Sequence, residues 1–391
     1  MRKISNLLIV VMVALAAAAI SASGQNALGQ TGAGGPKLVA TDSSAATTRT
    51  AEVSPARQAV VNSLSSLPEA DTLIYVNPQR ILNDLVPKLL PAKHVDEMRK
   101  SFEEVRKNAG IDPTKVDYIV IAVRFKKPTA DLNFQPPEFM VVSSGDFSAD
   151  SLIGLARMAS QGKLRDEKYG DKTLGLMTID PMVKESEKNP LLKGFSEVGI
   201  VSLSGNTIAA GTPAYLRAAI DAGAGKDRIN PETLNSLVRD PNALISIAGR
   251  PWLSFAKSFG MLGTETNARA ARCETSMGDF YAALTMDATN LMIRGVSNAD
   301  NPDTAKILAN LYSSLLRYAT TSIPDASAQS LLKGLAITAE GDEVLFRADF
   351  PQQMVIDLIQ QKMKPKPMVT MTATPPPVKP VVKRRRTRRR S

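Results

Sequence analysis

The feature that most constrains the fold is a series of short, β-branched segments joined in pairs by tight turns. In EVGIVSLSGNTIAAG (197–211), two apolar runs flank Gly205-Asn206, a turn sequence typical of β-hairpins. The same arrangement recurs in 279–297 and in 334–350. These segments predict antiparallel strands, and similar runs predict further strands at 72–77, 116–125, 138–144, 172–179 and 243–248.

Helices are predicted between these strands. A capping residue followed by proline opens four stretches with helical spacing, at Ser54-Pro55, Thr212-Pro213, Asn230-Pro231 and Asn301-Pro302. A further helix over 94–109 carries one apolar stripe and is followed by Gly110. We interpret this stripe as core packing rather than as a groove for a partner.

The two halves of the chain resemble each other. LIYVNPQRILNDL (73–85) is similar to LISIAGRPWLSFA (244–256), because each reads as a strand, a Pro-containing turn and a helix. The tetrapeptide LLKG occurs at 191–194 and again at 331–334, and a hairpin and a helix follow both copies. The alternative is that LLKG recurs by chance and the halves share only an alternation of strands and helices.

These patterns predict an α+β fold built by internal duplication. The first half spans 54–228 and the second 229–361. Each half is expected to be a mostly antiparallel sheet with helices packed on one face, since hairpins outnumber long crossovers. Whether the two halves form one sheet or two stays open.

The N-terminus has the pattern of a secretory signal peptide. Arg2 and Lys3 precede an uninterrupted apolar run over 7–20, and small residues up to Gly24 suit cleavage before Gln25. The run is shorter than the roughly 17–25 residues of a membrane-spanning helix, and no later run is long enough. We therefore expect a signal peptide over 1–24, no transmembrane span after its removal, and export to the periplasm or the cell exterior.

Two segments have the composition of disordered chain. Residues 25–53 are rich in Gly, Ala, Ser, Thr and Gln, so they bury too little apolar area to offset chain entropy. Residues 362–391 form a Pro-rich basic tail, in which 363–382 is an extended spacer.

Charge is distributed unevenly along the chain. The last 31 residues, 361–391, carry eleven Lys and Arg and no acid, so the net charge of +10 leaves about −1 for the rest. Nucleic-acid-binding domains usually show a basic face across the fold, and the near-neutral body does not favour one.

The ending KRRRTRRRS is the candidate binding site. Its cations are expected to bind an anionic envelope surface, such as lipopolysaccharide, anionic lipid or an acidic wall polymer. The residues are Lys383, Arg384, Arg385, Arg386, Arg388, Arg389 and Arg390.

No catalytic, cofactor or metal site is predicted. His94 is the single histidine and Cys273 the single cysteine, so no intrachain disulfide, zinc site or His-based nucleophile motif can be recognised. DAGAGKD (221–227) lacks the first glycine and the Ser or Thr of a phosphate loop. SFAK (254–257) has the spacing of a serine β-lactamase motif, but the companion motifs do not follow it.

Residues 68–77, PEADTLIYVN, carry a resemblance to a family. With Leu67 they form a Leu-Pro-x-x-Asp-Thr-x-x-Tyr-Val strand. This stretch resembles the opening strand of certain uncharacterised bacterial exported proteins, a family whose domain has no assigned function. The resemblance implies an exported protein built of repeated hairpin and helix units, and it transfers no catalytic residue.

The sequence thus favours a noncatalytic binding or scaffold protein of the bacterial cell envelope. Three alternatives stay open. The tail could be a solubilising end without a dedicated partner. The Arg-rich tail could bind nucleic acid phosphates, although it holds no aromatic residue for base stacking. Acidic residues distant in the sequence could also meet in the fold as an unrecognised catalytic carboxylate site.

Overall fold

A computed structural model describes residues 55–110, 112–125, 137–178, 196–250, 277–322 and 326–363. The predicted signal peptide and the predicted linker lie outside these residues, as does the tail from Lys364 onward. The first LLKG copy, the SFAK stretch and Cys273 also fall outside them.

The strands of the described residues form one twelve-stranded sheet in which every neighbouring pair is antiparallel. The strands are β1 (Thr72–Val76), β2 (Val116–Arg124), β3 (Glu138–Gly145), β4 (Arg165–Tyr169), β5 (Lys172–Thr178), β6 (Glu197–Ser204), β7 (Thr207–Gly211), β8 (Ile245–Gly249), β9 (Met277–Met286), β10 (Asn290–Ala299), β11 (Ala336–Glu340) and β12 (Glu343–Pro351). Their order across the sheet is β11-β12-β10-β9-β8-β1-β2-β3-β7-β6-β5-β4.

The helices connect these strands. They are α1 (Pro55–Leu64), α2 (Pro78–Arg80), a π-helical turn (Ile81–Leu85), α3 (Val86–Leu89), α4 (Ala92–Ala109), a 3₁₀ turn (Pro113–Lys115), α5 (Ala149–Ala159), α6 (Pro213–Gly223), α7 (Pro231–Leu237), α8 (Pro302–Ser322), α9 (Ala326–Lys333) and α10 (Gln352–Met363).

Most predicted elements are confirmed, because their signals are local. The turn at Gly205-Asn206 joins β6 to β7. Asp287 closes the β9–β10 turn by accepting hydrogen bonds from the backbone N–H groups of Thr289 and Asn290, each at 2.7 Å. Strand β4 was not predicted, since its sequence RDEKY is charged at four of five positions.

The two predicted halves meet in a single sheet. Strand β1 pairs with β8, and within their five-residue ladder Tyr75 lies opposite Ser246. These residues are 171 positions apart, which is also the spacing of the similar stretches 73–85 and 244–256. The sheet therefore runs without a break from one half to the other.

Helices cover both faces of this sheet. In β1, buried Leu73 faces a core with α1, α6 and α7 (face A), whereas buried Ile74 and Val76 face a second core with α3, α4 and α10 (face B). By strand register, Phe346 of β12 lies on face B, where it packs against α8.

The expectation that helices pack on one face only is therefore wrong. The physical reason is visible in the central strands, which are apolar at successive positions rather than at alternate ones. Both of their faces must be buried, so helices are needed on each side.

Candidate functional site

The predicted polyanion-binding residues Lys383 to Arg390 lie outside the described residues, and the structure does not bring them to a site. Within the described chain, two other features merit a functional reading. One is a cluster of charged groups at the ends of β1, β2 and β3. The other is a groove between α8, α9 and the edge strand β11.

The charged cluster is built on an ion pair between neighbouring strands. Arg124 ends β2, Glu138 begins β3, and the two residues are direct partners in the ladder. The Arg124 Nε donates to Glu138 Oε2 at 2.9 Å, and Nη2 donates to the same oxygen. The Glu138 side chain is 7% exposed, whereas that of Arg124 is 36% exposed. The pair therefore satisfies a carboxylate that is costly to bury.

Tyr215 joins α6 to this pair. The ring is fully buried, and the guanidinium carbon of Arg124 lies 4.7 Å from the ring centroid, within the range of a cation–π contact. The hydroxyl group donates to the backbone carbonyl of Glu69 at 2.9 Å. Burial raises the pKa of Tyr215, so its hydroxyl stays a hydrogen-bond donor at neutral pH.

Asp71 links the start of β1 to the residues that follow β2 and β8. Its Oδ2 accepts a hydrogen bond from the backbone N–H of Phe125 at 2.7 Å. Its backbone carbonyl accepts one from the N–H of Arg250 at 2.8 Å. Burial raises the pKa of Asp71 against the opposing effect of the Phe125 hydrogen bond.

Gly249 makes this close approach possible. Its φ is +137°, and a side chain there would place a Cβ only 2.3 Å from the Asp71 carbonyl oxygen. Glycine is therefore required where β8 ends beside β1.

The chemistry available to this cluster is limited by its mutual contacts. A buried carboxyl group with a raised pKa can act as a general acid, but structural ion-pair networks perturb pKa values in the same way. Glu138 is engaged by Arg124, and Asp71 by Phe125. The described geometry thus ties the ends of β1, β2 and β3 to α6.

The groove lies on face B beside the edge strand β11. It encloses about 550 Å³, and its walls combine apolar and basic side chains. Leu316, Arg317 and Thr320 come from α8, Leu332 and Lys333 from α9, and Ile337 from β11. Arg317 donates to Ser314 Oγ at 3.1 Å, and the Thr320 hydroxyl donates back to the Leu316 carbonyl at 2.7 Å.

Sequence reasoning missed both features. The charged cluster had one usable signal, because Arg124 closes one predicted strand and Glu138 opens the next. The contact of Arg124 with Tyr215 had no signal in the sequence, since α6 is about 80 residues further along the chain. The groove depends on how α9 packs against α8, and the spacing of apolar residues within either helix does not predict that packing.

The described residues contain neither a cluster of metal ligands nor a helix that could span a membrane. Among the side chains that the structure describes, no group of three or more His, Cys, Asp or Glu is placed to hold a metal ion. Across the same residues, every helix is too short or too polar to cross a bilayer.

Comparisons with known proteins identify structural similarity only. No protein-family model matches the sequence, and no curated protein matches it. Crystal form III of TP0453 is similar at 10% identity with a TM-score of 0.38, over 76% of this chain and 97% of that one. Crystal form I has the same identity and TM-score, over 76% and 96%. Crystal form IV gives 11% and 0.37, over 78% and 99%.

Proposed function

We propose that this chain is a noncatalytic, exported binding or scaffold protein of the bacterial cell envelope. Its basic tail would tether the folded body to an anionic surface. The observation that carries the proposal is the separation of charge: eleven cations lie in 361–391, while the remainder is close to neutral. The signal-like N-terminus supports an envelope polyanion over a genomic one.

The tail is suited to reversible adhesion. Lys383 and the six arginines up to Arg390 follow a Pro-rich spacer, whose composition predicts an extended chain between α10 and the cations. Each cation near an anionic leaflet contributes roughly 1 kcal/mol, so seven contribute at most about 7 kcal/mol before ordering costs. Salt screens this attraction over about 8–10 Å, so binding should weaken as ionic strength rises.

Cell fractionation tests the tether. Deleting 379–391, or replacing the seven cations of 383–390 with Gln, should move the protein from the envelope to the soluble fraction. The matched control replaces the six tail arginines with Lys, which keeps the charge and should keep the protein on the envelope. Envelope association of the deletion variant at the level of the unaltered protein would contradict the proposal.

The nature of the polyanion needs a separate comparison. The purified protein should be titrated with anionic phospholipid vesicles, lipopolysaccharide and duplex DNA at one salt concentration. We expect the first two to bind more tightly than DNA. All three ligands carry phosphates and are expected to bind the tail in a salt-dependent way, so the comparison is made at one salt concentration. Preferential binding of DNA would favour the nucleic-acid alternative.

We also propose that the folded body arose by internal duplication. Supporting this, the strand order β1-β2-β3-β7-β6 has the same chain pattern as β8-β9-β10-β12-β11, and the β4–β5 hairpin is an insertion in the first copy. In the ladder between β1 and β8, Tyr75 lies directly opposite Ser246, and these two residues are equivalent in the sequence comparison. The two proposed copies differ after β7 and β12. Helix α6, which follows β7, packs on face A, whereas α10, which follows β12, packs on face B.

An experimental structure tests the duplication. Superposing β1–β3, β6 and β7 on β8–β10, β11 and β12 should place Tyr75 over Ser246. A best superposition that matches Tyr75 with another residue of β8 would argue against a common origin.

A further inference from the structure

The two edges of the sheet differ in how they resist pairing with another strand. An edge strand exposes unpaired backbone N–H and C=O groups, and natural proteins commonly protect such edges with charged side chains. Among the strands that the structure describes, one edge is β4 and the other is β11. Four of the five residues of β4 are charged at neutral pH, whereas only Glu340 is charged in β11.

Strand β4 is unsuited to pairing with its own copy. An antiparallel pair of β4 strands centred on its middle residue would place Glu167 opposite Glu167 of a second copy, and like charges directly opposite are destabilising. Arg217 already forms an ion pair with Glu167, with Nε donating to Oε1 at 2.7 Å, so this edge is also tied to α6.

Strand β11 has a pattern suited to pairing. Ala336, Thr338 and Glu340 are exposed on face A, while Ile337 and Ala339 are half-buried on face B. A strand added beside β11 would therefore meet small or apolar side chains at four of five positions. Its face B side chains would lie beside the groove that Ile337 lines.

We propose that two copies of this chain associate by pairing β11 with β11 in antiparallel orientation, centred on Thr338. This register pairs all five residues of each strand. Thr338 lies opposite Thr338 of the second copy, Ile337 opposite Ala339, and Ala336 opposite Glu340. No like charges face each other, and the two sheets become one continuous sheet across the two-fold axis.

Charge complementarity favours this register. Within its own hairpin Glu340 lies opposite Glu343, an unfavourable placement, and its Oε1 lies 3.5 Å from Nη1 of Arg347. Arg347 itself lies opposite Ala336. In the dimer, Glu340 of the second copy would lie on the other side of Ala336. It would then be two strand spacings from Arg347, about 10 Å between Cα atoms, with only a methyl group between the two long side chains.

The inference is independent of the tail and of the proposed tether. It concerns residues 336–347 of the folded body, so loss of the tail should leave the dimer intact. Conversely, a monomeric variant should still associate with the envelope.

Disulfide trapping tests the register. In a Cys273→Ser background, Thr338→Cys should give a disulfide-linked dimer under mild oxidation, because directly opposite Cα atoms lie about 4.5–5.5 Å apart. Glu340→Cys is the matched control, since two copies of residue 340 would be more than about 7 Å apart and beyond disulfide reach. Glu167→Cys on β4 is the control for the other edge.

Sedimentation equilibrium of the tail-deleted and full chains supplies the second readout. The unaltered protein should show a concentration-dependent dimer. Thr338→Lys should raise the dissociation constant about tenfold or more, because it places two cations opposite each other, while Thr338→Val should retain the dimer. A monomer at all concentrations, or trapping at residue 340 or 167 as efficient as at 338, would overturn the proposal.

Discussion

Face A of the sheet differs sharply between its two ends. Over β5, β6 and β7, it carries fully buried Leu176, Val201 and Ala209 beneath Tyr215 and Leu216 of α6. Over β10 and β12, the same face carries side chains that are about half exposed and paired by charge. Arg294 Nη2 lies 2.5 Å from Asp349 Oδ1, and Arg347 Nη1 lies 3.5 Å from Glu340 Oε1.

The difference shows that strand pairing and face burial are separate contributions. Both ends have the same antiparallel ladders, but α6 covers face A over β5, β6 and β7, whereas over β10 and β12 that face carries exposed ion pairs. Exposed ion pairs stabilise a fold little, since water screens them. Substitutions on face A should therefore lower the free energy of unfolding more at the end covered by α6 than at the end with exposed ion pairs.

The largest expected effect is at the covered end. Leu216→Ala should lower the free energy of unfolding by about 2–5 kcal/mol, because it opens a cavity in a fully buried site against β5 and β6. Chemical denaturation measures it. The control is Met158→Ala on α5, whose side chain is 70% exposed and whose loss should change stability by about 0.5 kcal/mol or less. Equal losses at both sites would contradict the assigned burial.

The next comparison sets a buried ion pair against an exposed one. Glu138→Gln should cost about 1–3 kcal/mol, because it weakens the hydrogen bonds from Arg124 inside the fold. Arg294→Gln, its counterpart on the uncovered end, should cost about 0.2–1 kcal/mol. Urea titrations of both variants at low and high salt would test this. A larger loss for Arg294→Gln would remove the distinction between the two ends.

The smallest expected effect concerns pH. Burial raises the pKa of Asp71 in the fold, so its ionised form is disfavoured there and destabilises the protein above that pKa. Asp71→Asn should therefore be more stable than the unaltered protein near neutral pH, and the advantage should shrink as pH falls through the raised pKa. Melting temperatures at pH 7 and pH 4 measure it. An advantage that grows at low pH would show that the pKa is lowered instead.

Predictability from the sequence followed the range of the interactions. The turns at Gly205-Asn206 and Asp287–Asn290 were predicted because a few adjacent residues determine them. Helix α4 and its stop at Gly110 were predicted for the same reason. Strand β4 was missed because its residues are mostly charged. Charged residues suit an edge strand, but the position of β4 at the edge depends on its pairing with β5.

The candidate sites were less predictable than the elements that carry them. Arg124 and Glu138 lie at the ends of correctly predicted strands, yet their burial requires Tyr215 and α6 to lie over them. The export signal and the tail-borne polyanion site remain predictions, because the residues that carry them lie outside those described.

The sequence by itself determined the hairpins, the capped helices, the charge-rich tail and the likeness between the stretches 73–85 and 244–256, in which Tyr75 and Ser246 are equivalent. Only the tertiary structure decided that these two residues face each other in one ladder, that both sheet faces are covered, and that β4 and β11 are the edges. The physical reason is that turns and caps depend on neighbours within a few residues. Pairing β1 with β8 instead closes a loop of some 170 residues, and its gain comes from cores that exist only once both strands are in place.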